Sequence, residues 1–365
     1  MAGNKSLHEA NKAKKDEFYT QLSDIEKELK HYKAHFLNKI VLCNCDDPRV
    51  SNFFHYFSYN FEVLGLKKLI TTCYKSQNRD LFSQNDSERA IWLEYFGDRN
   101  GNRVPDPEEI GIHYFNGDGD FRSTECIELL KEADIVVTNP PFSLFREYVA
   151  QLMNFNKKFL VIGNQNNVTY KEIFPLLSNN KIWLGINSGA QQFEVPLDYE
   201  KGNVYMNEYG KKYAKFGNIC WFTNLDNTQR HEELILYKKY TPEEYPKYDN
   251  YDAINVEKIA EIPNDYYGIM GVPITFMEKY NPEQFEIVGI TDRNSPLCTK
   301  IYTKKDVSNY SDLNRRSVLV IDGKYKMLFP KILIRRRPKN IPYTMEESQL
   351  SMAAESGTEN NNENN

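Results

Sequence analysis

The chain has 365 residues, enough for one large domain or for a catalytic domain with a smaller appendage. Its 40% hydrophobic and 13% aromatic content supports a sizeable core, and a formal net charge of -5 makes no case by itself for a nucleic-acid partner. The cysteines form no CxxC pair and the histidines show no metal-ligand spacing; with no signal peptide and no apolar run near twenty residues, the sequence reads as a reduced, soluble, cytoplasmic protein without metal or membrane anchor.

Residues 1–15 are polar and Lys-rich and read as a flexible basic arm. Ser23 and Glu26 have the spacing of a capping box, and Ile25, Leu29, Tyr32 and Phe36 recur at helical intervals, which predicts a helix from about Asp24 to Phe36. An alternation follows. Apolar runs at Ile40–Asn44, Leu69–Tyr74, Asp134–Thr138, Phe159–Gly163 and Ile182–Ile186 read as buried strands, with helices predicted at Thr124–Lys131 and Leu144–Met153 between them. Continuously apolar strands alternating with helices imply a parallel sheet covered on both faces, with Ile219–Thr223 as a later strand. Residues 75–113 break the rhythm as a polar insertion rich in Asn, Asp and Arg.

Beyond Thr223 the alternation stops and Tyr and Pro become common, so a second region is placed at 225–340 after a first at 16–224. Residues 341–365, ending ESGTENNNENN, have the composition of a disordered tail. From Arg293 to Lys339 thirteen Lys and Arg face three Asp, a local charge of +10 in an acidic chain. Val318–Ile321, Met327–Phe329 and Ile332–Ile334 read as strands that hold these charges on a fixed surface. A DNA surface needs such clustering rather than a positive average, and Arg315, Arg316, Arg335, Arg336 and Arg337 are the candidate DNA contacts, with Lys324, Lys326 and Lys331 between them. A solvated basic face is the competing reading.

The run from Asp134 to Phe142 is a strand ending in Asn139-Pro140-Pro141-Phe142, with a helix at once behind it and Ser143 as its expected cap. In open α/β sheets, ligands bind outside the carboxyl ends of the strands. An adenine amino group is a poor nucleophile because its lone pair is delocalised into the ring. Two acceptors aimed at its N–H bonds, the Asn139 side-chain carbonyl and the Pro140 backbone carbonyl, pull the nitrogen towards tetrahedral geometry. The prolines fix φ and hold the turn rigid. Phe142 offers a flat face for a purine that has left its helix. A plain strand-terminal turn is the alternative.

Here a resemblance becomes visible. Asn139–Phe142 resembles the catalytic motif of amino-methyltransferases, and the surroundings resemble the EcoRI-type adenine-specific modification methylases. The stretches that carry it are Lys15–Gln21, Cys43–Phe53, Gly117–Arg122, Asp134–Tyr148, Tyr245–Val256 and Met270–Phe276. The resemblance implies a Rossmann-like α/β sheet with helices on both faces and a C-terminal target-recognition region. It implies S-adenosyl-L-methionine as cofactor and double-stranded DNA as partner, with direct methyl transfer to a flipped-out adenine. A cognate restriction endonuclease acting on the same site is a further implied partner, and GAATTC is the first sequence to try.

The resemblance also assigns cofactor positions. Phe18, Tyr19 and Thr20 match the segment that wraps the methionine end, and Asp46 or Asp47 would meet the ammonium group or else cap a helix starting near Arg49. The usual glycines of that loop are replaced by Ser51 and Asn52, and the second strand ends in Cys73, Tyr74 and Lys75 without the usual acid for the ribose. Asp118, Asp120 and Phe121 match a GDF-like segment at the adenine end. Phe193, in Gln191-Gln192-Phe193 after the strand at Ile182–Ile186, would cover the flipped base from the side opposite Phe142, or pack in the core. Two alternatives stay open: methylation of RNA or of protein glutamine, and a DNA-binding protein on a catalytically decayed scaffold.

Overall fold

The computed structural model describes residues 19–44, 51–73, 90–195, 197, 199–200, 203–292, 295–306 and 310–338. The chain divides into two compact units, residues 1–167 with 182–227 and residues 168–181 with 228–365. The second unit thus borrows fourteen residues from the middle of the chain, which nothing in the composition signalled.

In the first unit β1 (Tyr19–Thr20) leads into α1 (Leu22–Leu29), β2 (Ile40–Asn44), α2 (Asn52–Tyr59), α3 (Phe61–Leu64) and β3 (Lys68–Thr72). β4 (Ile91–Tyr95) and β5 (Ile110–Tyr114) come next, then α4 (Thr124–Glu132), β6 (Ile135–Thr138), α5 (Phe145–Asn154) and β7 (Lys158–Asn164). β8 (Trp183–Glu194), β9 (Asn203–Met206) and β10 (Lys212–Thr223) complete it. The strands form one sheet in the order β1-β8-β10-β7-β6-β2-β3-β4-β5, with β9 paired to β10.

The centre of this sheet is the parallel core that the apolar runs imply: β3, β2, β6 and β7 are parallel neighbours. Both flanks correct the all-parallel expectation. β10 is antiparallel to β7 and β8, and β4 is antiparallel to β3. Within the polar insertion, residues 75–89 lie outside the described residues, and β4 and β5 extend the sheet as a hairpin. Acidic residues between the two strands serve the connecting loop. Asp98 accepts from the N–H of Gly101 at 2.6 Å and of Arg103 at 2.7 Å, and buried Glu109 accepts from the N–H of Arg99 at 2.6 Å. Polar composition here marks backbone groups satisfied by side chains.

Period-two alternation buries both sheet faces. Val41, Leu69, Ile135, Val137, Leu160 and Ile162 share a core with Ile25 and Leu29 of α1 and Phe53 and Phe57 of α2. Leu42, Ile70, Val136 and Val161 are buried too; α4 contacts β2 and α5 contacts β7. Gly163 leaves room for the rings of Phe145 and Phe222, since a Cβ there would lie 2.5 Å from Phe145.

Helix ends differ from the expectations. The cap of α1 is Gln21, so Ser23 sits inside the first turn and forms no capping box, and the helix stops at Leu29, followed by a 3-10 turn at Lys33–His35. Buried Glu28 ties this helix to β8, accepting from the N–H of Ile186 at 2.9 Å and of Asn187 at 2.8 Å. α2 is capped by Ser51, whose hydroxyl accepts from the N–H of Phe53 at 3.2 Å; Asp46 and Asp47 lie outside the described residues.

The second unit contains a sheet in the order β11-β12-β16-β13, from β11 (Ile254–Asn255), β12 (Met270–Pro273), β13 (Phe285–Ile290) and β16 (Lys331–Arg336). A separate hairpin pairs β14 (Val318–Ile321) with β15 (Lys324–Met327). Met270, Val272, Ile332 and Ile334 are fully buried in this unit.

Candidate active site

β2 and β6 lie side by side in the sheet, but the chain goes from β2 to β3 on one side and reaches β6 only later on the other. This is the point where strand order reverses, the place where open α/β sheets form a ligand crevice beyond the carboxyl ends of their strands. The last residue of β2 is Asn44, and Asn139 follows the last residue of β6.

Buried hydrogen bonds tie these two ends together. The Thr138 hydroxyl donates to the backbone carbonyl of Asn44, and the Tyr148 hydroxyl, from α5, donates to the Asn44 side-chain oxygen. Asn44, Thr138 and Tyr148 are all buried, so losing one partner would strand the others in a low dielectric. Neither Asn44 nor Tyr148 was singled out from the sequence. The available signal was a lone amide closing the otherwise apolar strand Ile40–Asn44.

Asn139 is 5% exposed, Pro140 and Pro141 are buried, and Phe142 is half-buried against the core. Pro141 precedes a 3-10 turn at Phe142–Leu144, so Ser143 lies within the turn and does not cap α5. The Phe142 ring meets Phe193 edge-on, with centroids 6.5 Å apart and planes at 88°. A two-sided sandwich needs parallel faces, which this pair does not present. Phe193 itself is fully buried, packs on Phe216 at 5.6 Å, and lies inside β8, which runs on past Ile186. In this arrangement Phe193 is a core residue that backs Phe142.

Gly119 sits at φ +77, and a Cβ there would lie 2.4 Å from the Cys73 carbonyl at the end of β3. Only glycine permits this approach. It brings two carboxylates, Asp118 and Asp120, to the end of a strand that has none of its own. Glu125 fixes the loop from α4, accepting from the N–H of Asn116 at 3.0 Å and of Gly117 at 2.9 Å. These bonds hold its carboxyl below the usual range.

The two aspartates differ. Burial alone would raise the Asp120 carboxyl, but Arg122 grips both its oxygens at 2.8 and 2.7 Å and holds it below its ordinary value. Asp118 is exposed, and its Oδ1 accepts from the Asp120 N–H at 3.1 Å. Phe121 is buried edge-on against Tyr148 at 5.0 Å, and its carbonyl accepts from Gln151 at 3.0 Å. The GDF-like loop is therefore coupled to the same tyrosine that anchors Asn44. Thr20 pairs with Phe193 in the sheet, and its carbonyl accepts from Asn52 at 2.7 Å. Its hydroxyl is buried with no hydrogen-bond partner among the described residues. Phe18, Asp46 and Asp47 lie outside the described residues, as does the Tyr19 side chain.

A sequence model of the family described as "Adenine-specific methyltransferase EcoRI" matches residues 6–337. The chain belongs to this family. The methyltransferase is 53% identical over 293 residues to the Type II methyltransferase M.EcoRI of Escherichia coli, a match covering 79% of this chain and 89% of that protein. It is 38% identical over 338 residues to the Type II methyltransferase M.MgeORF184P of Mycoplasma genitalium, covering 91% and 98%. With the Type II methyltransferase M.MpnI of Mycoplasma pneumoniae it shares 39% identity over 290 residues, covering 77% and 84%. No solved structure matches the chain. Among the described residues no helix is long and apolar enough to cross a membrane.

The family assignment gives the Ser51 departure a physical sense. A serine in place of a loop glycine supplies the oxygen that caps α2. Burial lifts the Cys126 thiol to about 11, so this cysteine beside the GDF-like loop is not a thiolate nucleophile near neutral pH.

The basic residues of the methyltransferase's second unit divide sharply. Arg315 and Arg316 are exposed. Arg336 is 9% exposed; its guanidinium donates to the Asn264 carbonyl and lies 5.1 Å from the Tyr267 ring centroid. It is a structural residue, which corrects its assignment as a DNA contact. Lys331 is corrected likewise: it is buried, donates to the Val256 carbonyl at 3.0 Å, and burial lowers its pKa. Arg337 is half-buried and donates to the Pro282 carbonyl at 3.0 Å. Arg335 is exposed, 3.6 Å from Glu286. Consecutive residues of a strand point to opposite faces, so an arginine triplet cannot present three charges to one surface.

Proposed function

We propose that this methyltransferase transfers a methyl group from S-adenosyl-L-methionine to the exocyclic N6 of an adenine flipped out of duplex DNA. The observation that supports this best is Asn139-Pro140-Pro141-Phe142 at the mouth of the β2–β6 crevice, held by the Thr138–Asn44–Tyr148 hydrogen bonds.

The donor set of the crevice fits the cofactor. Thr20 offers a buried hydroxyl for the methionine end, Asp118 an exposed carboxylate for the ribose hydroxyls missing an acid on β3, and Phe121 an apolar wall for the adenine ring. Phe18, Tyr19, Asp46 and Asp47 belong to the same proposed site by resemblance. When bound, the cofactor supplies an electrophilic methyl on a sulfonium centre. The Asn139 side-chain carbonyl and the Pro140 backbone carbonyl accept the two amino hydrogens of the adenine and localise the lone pair on nitrogen. The adenine nitrogen would take the methyl that the sulfonium gives up, and its surplus proton would leave to solvent. Phe142 stacks on the extruded base, and Phe193 braces Phe142 from its edge. Orientation and two fixed acceptors carry the rate, with no covalent enzyme intermediate.

Residues 225–340 form the proposed target-recognition region, and a restriction endonuclease of the same specificity is the proposed functional counterpart. The test supplies methyl-labelled S-adenosyl-L-methionine with GAATTC duplex, scrambled duplex, RNA or protein, followed by nucleoside analysis. Label in N6-methyladenine from DNA is the expected result. Label confined to RNA or to glutamine would overturn the reading.

A further inference from the structure

Four exposed cations of the second unit that make no ion pair with any described residue gather at one feature, while Lys181, Lys279, Lys304 and Lys305 are likewise exposed elsewhere in the unit. Arg315 and Arg316 stand at the base of the β14–β15 hairpin, and Lys324 and Lys326 stand on β15; all four are exposed. Several other cations of the basic segment are engaged: Lys300 pairs with Asp249 at 2.6 Å, Lys331 and Arg336 are buried, and Arg335 faces Glu286; Lys304 and Lys305 are exposed. Between Leu313 and Pro338 the sequence contains one acid, Asp322.

The hairpin is firmly rooted. Val318 and Leu319 are buried, the Val318 N–H donates to the Asn250 side chain at 2.9 Å, and its carbonyl accepts from Asp249 at 2.8 Å. The Tyr325 ring is braced edge-on by Tyr302 at 5.4 Å. Beyond this root the tip is bare. Val320 is 48% exposed and Ile321 45%, and a Cβ on Gly323 would meet nothing within 4 Å. Asp322 and Gly323 both have positive φ, at 50° and 72°, the conformation of a tight turn that matches strand twist.

Resting on the proposed function, we propose that this tip, residues 321–325, enters the major groove of the DNA substrate as a two-stranded ribbon. Ile321 and Lys324 read base edges there, and Arg315 and Arg316 hold flanking phosphates. The major groove is about 12 Å wide and about 8.5 Å deep and admits such a ribbon. At about 3.3 Å per residue, two exposed residues per strand plus the turn span roughly that depth. Ile321 and Lys324 are cross-strand partners on one face. An apolar group suited to a thymine methyl therefore lies beside a cation suited to guanine O6 and N7. Exposed aliphatic side chains flanked by unpaired cations match a surface that carries both methyl groups and phosphates, and a polyanion complements this charge within an acidic chain.

The test uses the full chain on a randomised duplex library, with methylated adenines located by sequencing and labelled S-adenosyl-L-methionine binding measured in parallel. Ile321→Ser and Lys324→Gln should relax preference at one or two positions by about 5- to 100-fold while cofactor binding stays unchanged. Arg315→Gln with Arg316→Gln should weaken binding on all sequences and flatten the log–log salt slope by up to about 1.8, with preference kept. Wild-type site profiles and affinities in both tip variants would overturn the inference and leave the tip as a surface for another partner. A wild-type chain that methylates no duplex would instead overturn the proposed function, and this inference with it.

Discussion

Asn139–Phe142 follows directly on β6, and Arg335–Arg337 stands at the end of β16. Both are short runs at the end of a buried strand. On the proposed reading the first acts largely through backbone: a carbonyl before a proline, a rigid turn, and an amide at the end of a buried strand. The second consists of long side chains whose meaning depends on which face each one leaves. Strand alternation separates an exposed Arg335 from a buried Arg336, and Arg337, just past the strand, is half-buried on the Pro282 carbonyl. A motif that encodes backbone geometry can be read from one sequence, whereas a charge run cannot until its faces are assigned.

The sharpest way to break this comparison is Asn139→Ala. Loss of one preorganised acceptor should cost on the order of 10²–10³ in turnover while binding of labelled cofactor survives. A variant with near-normal turnover would reduce the motif to a turn. Next comes Arg336→Gln. It removes a buried charged hydrogen bond and a ring contact, and thermal or urea unfolding should show a loss of about 2–3 kcal/mol. The salt dependence of DNA binding should stay unaltered. A changed slope with unchanged stability would return Arg336 to the DNA surface.

Phe142→Ala should lose about 1–3 kcal/mol of base stacking. A 2-aminopurine at the target position should brighten on binding to the wild type and less so for the variant. The half-buried ring also contributes to the core, so stability is measured alongside. Equal brightening would show that Phe142 does not support the extruded base.

The same contrast explains what was legible in the fold. Ile40–Asn44 is legible to the residue because four consecutive apolar residues closed by a single amide, buried on both faces, have no other home. β4 and β5 are not legible in the sequence because only three of their ten residues are buried and the loop between them is polar. Gly119 reads as an ordinary turn glycine in sequence; its contact with the Cys73 carbonyl exists only once β3 and the loop are folded together. Helix caps failed where Gln21, with no side-chain cap bond, took a place that local chemistry gave to Ser23.

The smallest effect is expected at Arg335. Its neighbour Glu286 lies 3.6 Å away on the paired strand β13, and both side chains are close to half exposed, so water screens the pair. Exposed pairs of this kind contribute about 0–1 kcal/mol. Arg335→Gln should therefore leave unfolding nearly unchanged. Its consequence should appear in DNA binding: one fewer cation at a phosphate flattens the slope of log affinity against log salt by about 0.9. Glu286→Gln, which removes the competing carboxylate and keeps the arginine, should move affinity the opposite way, towards tighter binding at low salt. If neither variant alters affinity or slope, Arg335 and Glu286 satisfy each other on a solvated face. The positive charge that meets DNA would then have to come from elsewhere, with the cations of the β14–β15 hairpin as the nearest exposed group in sequence.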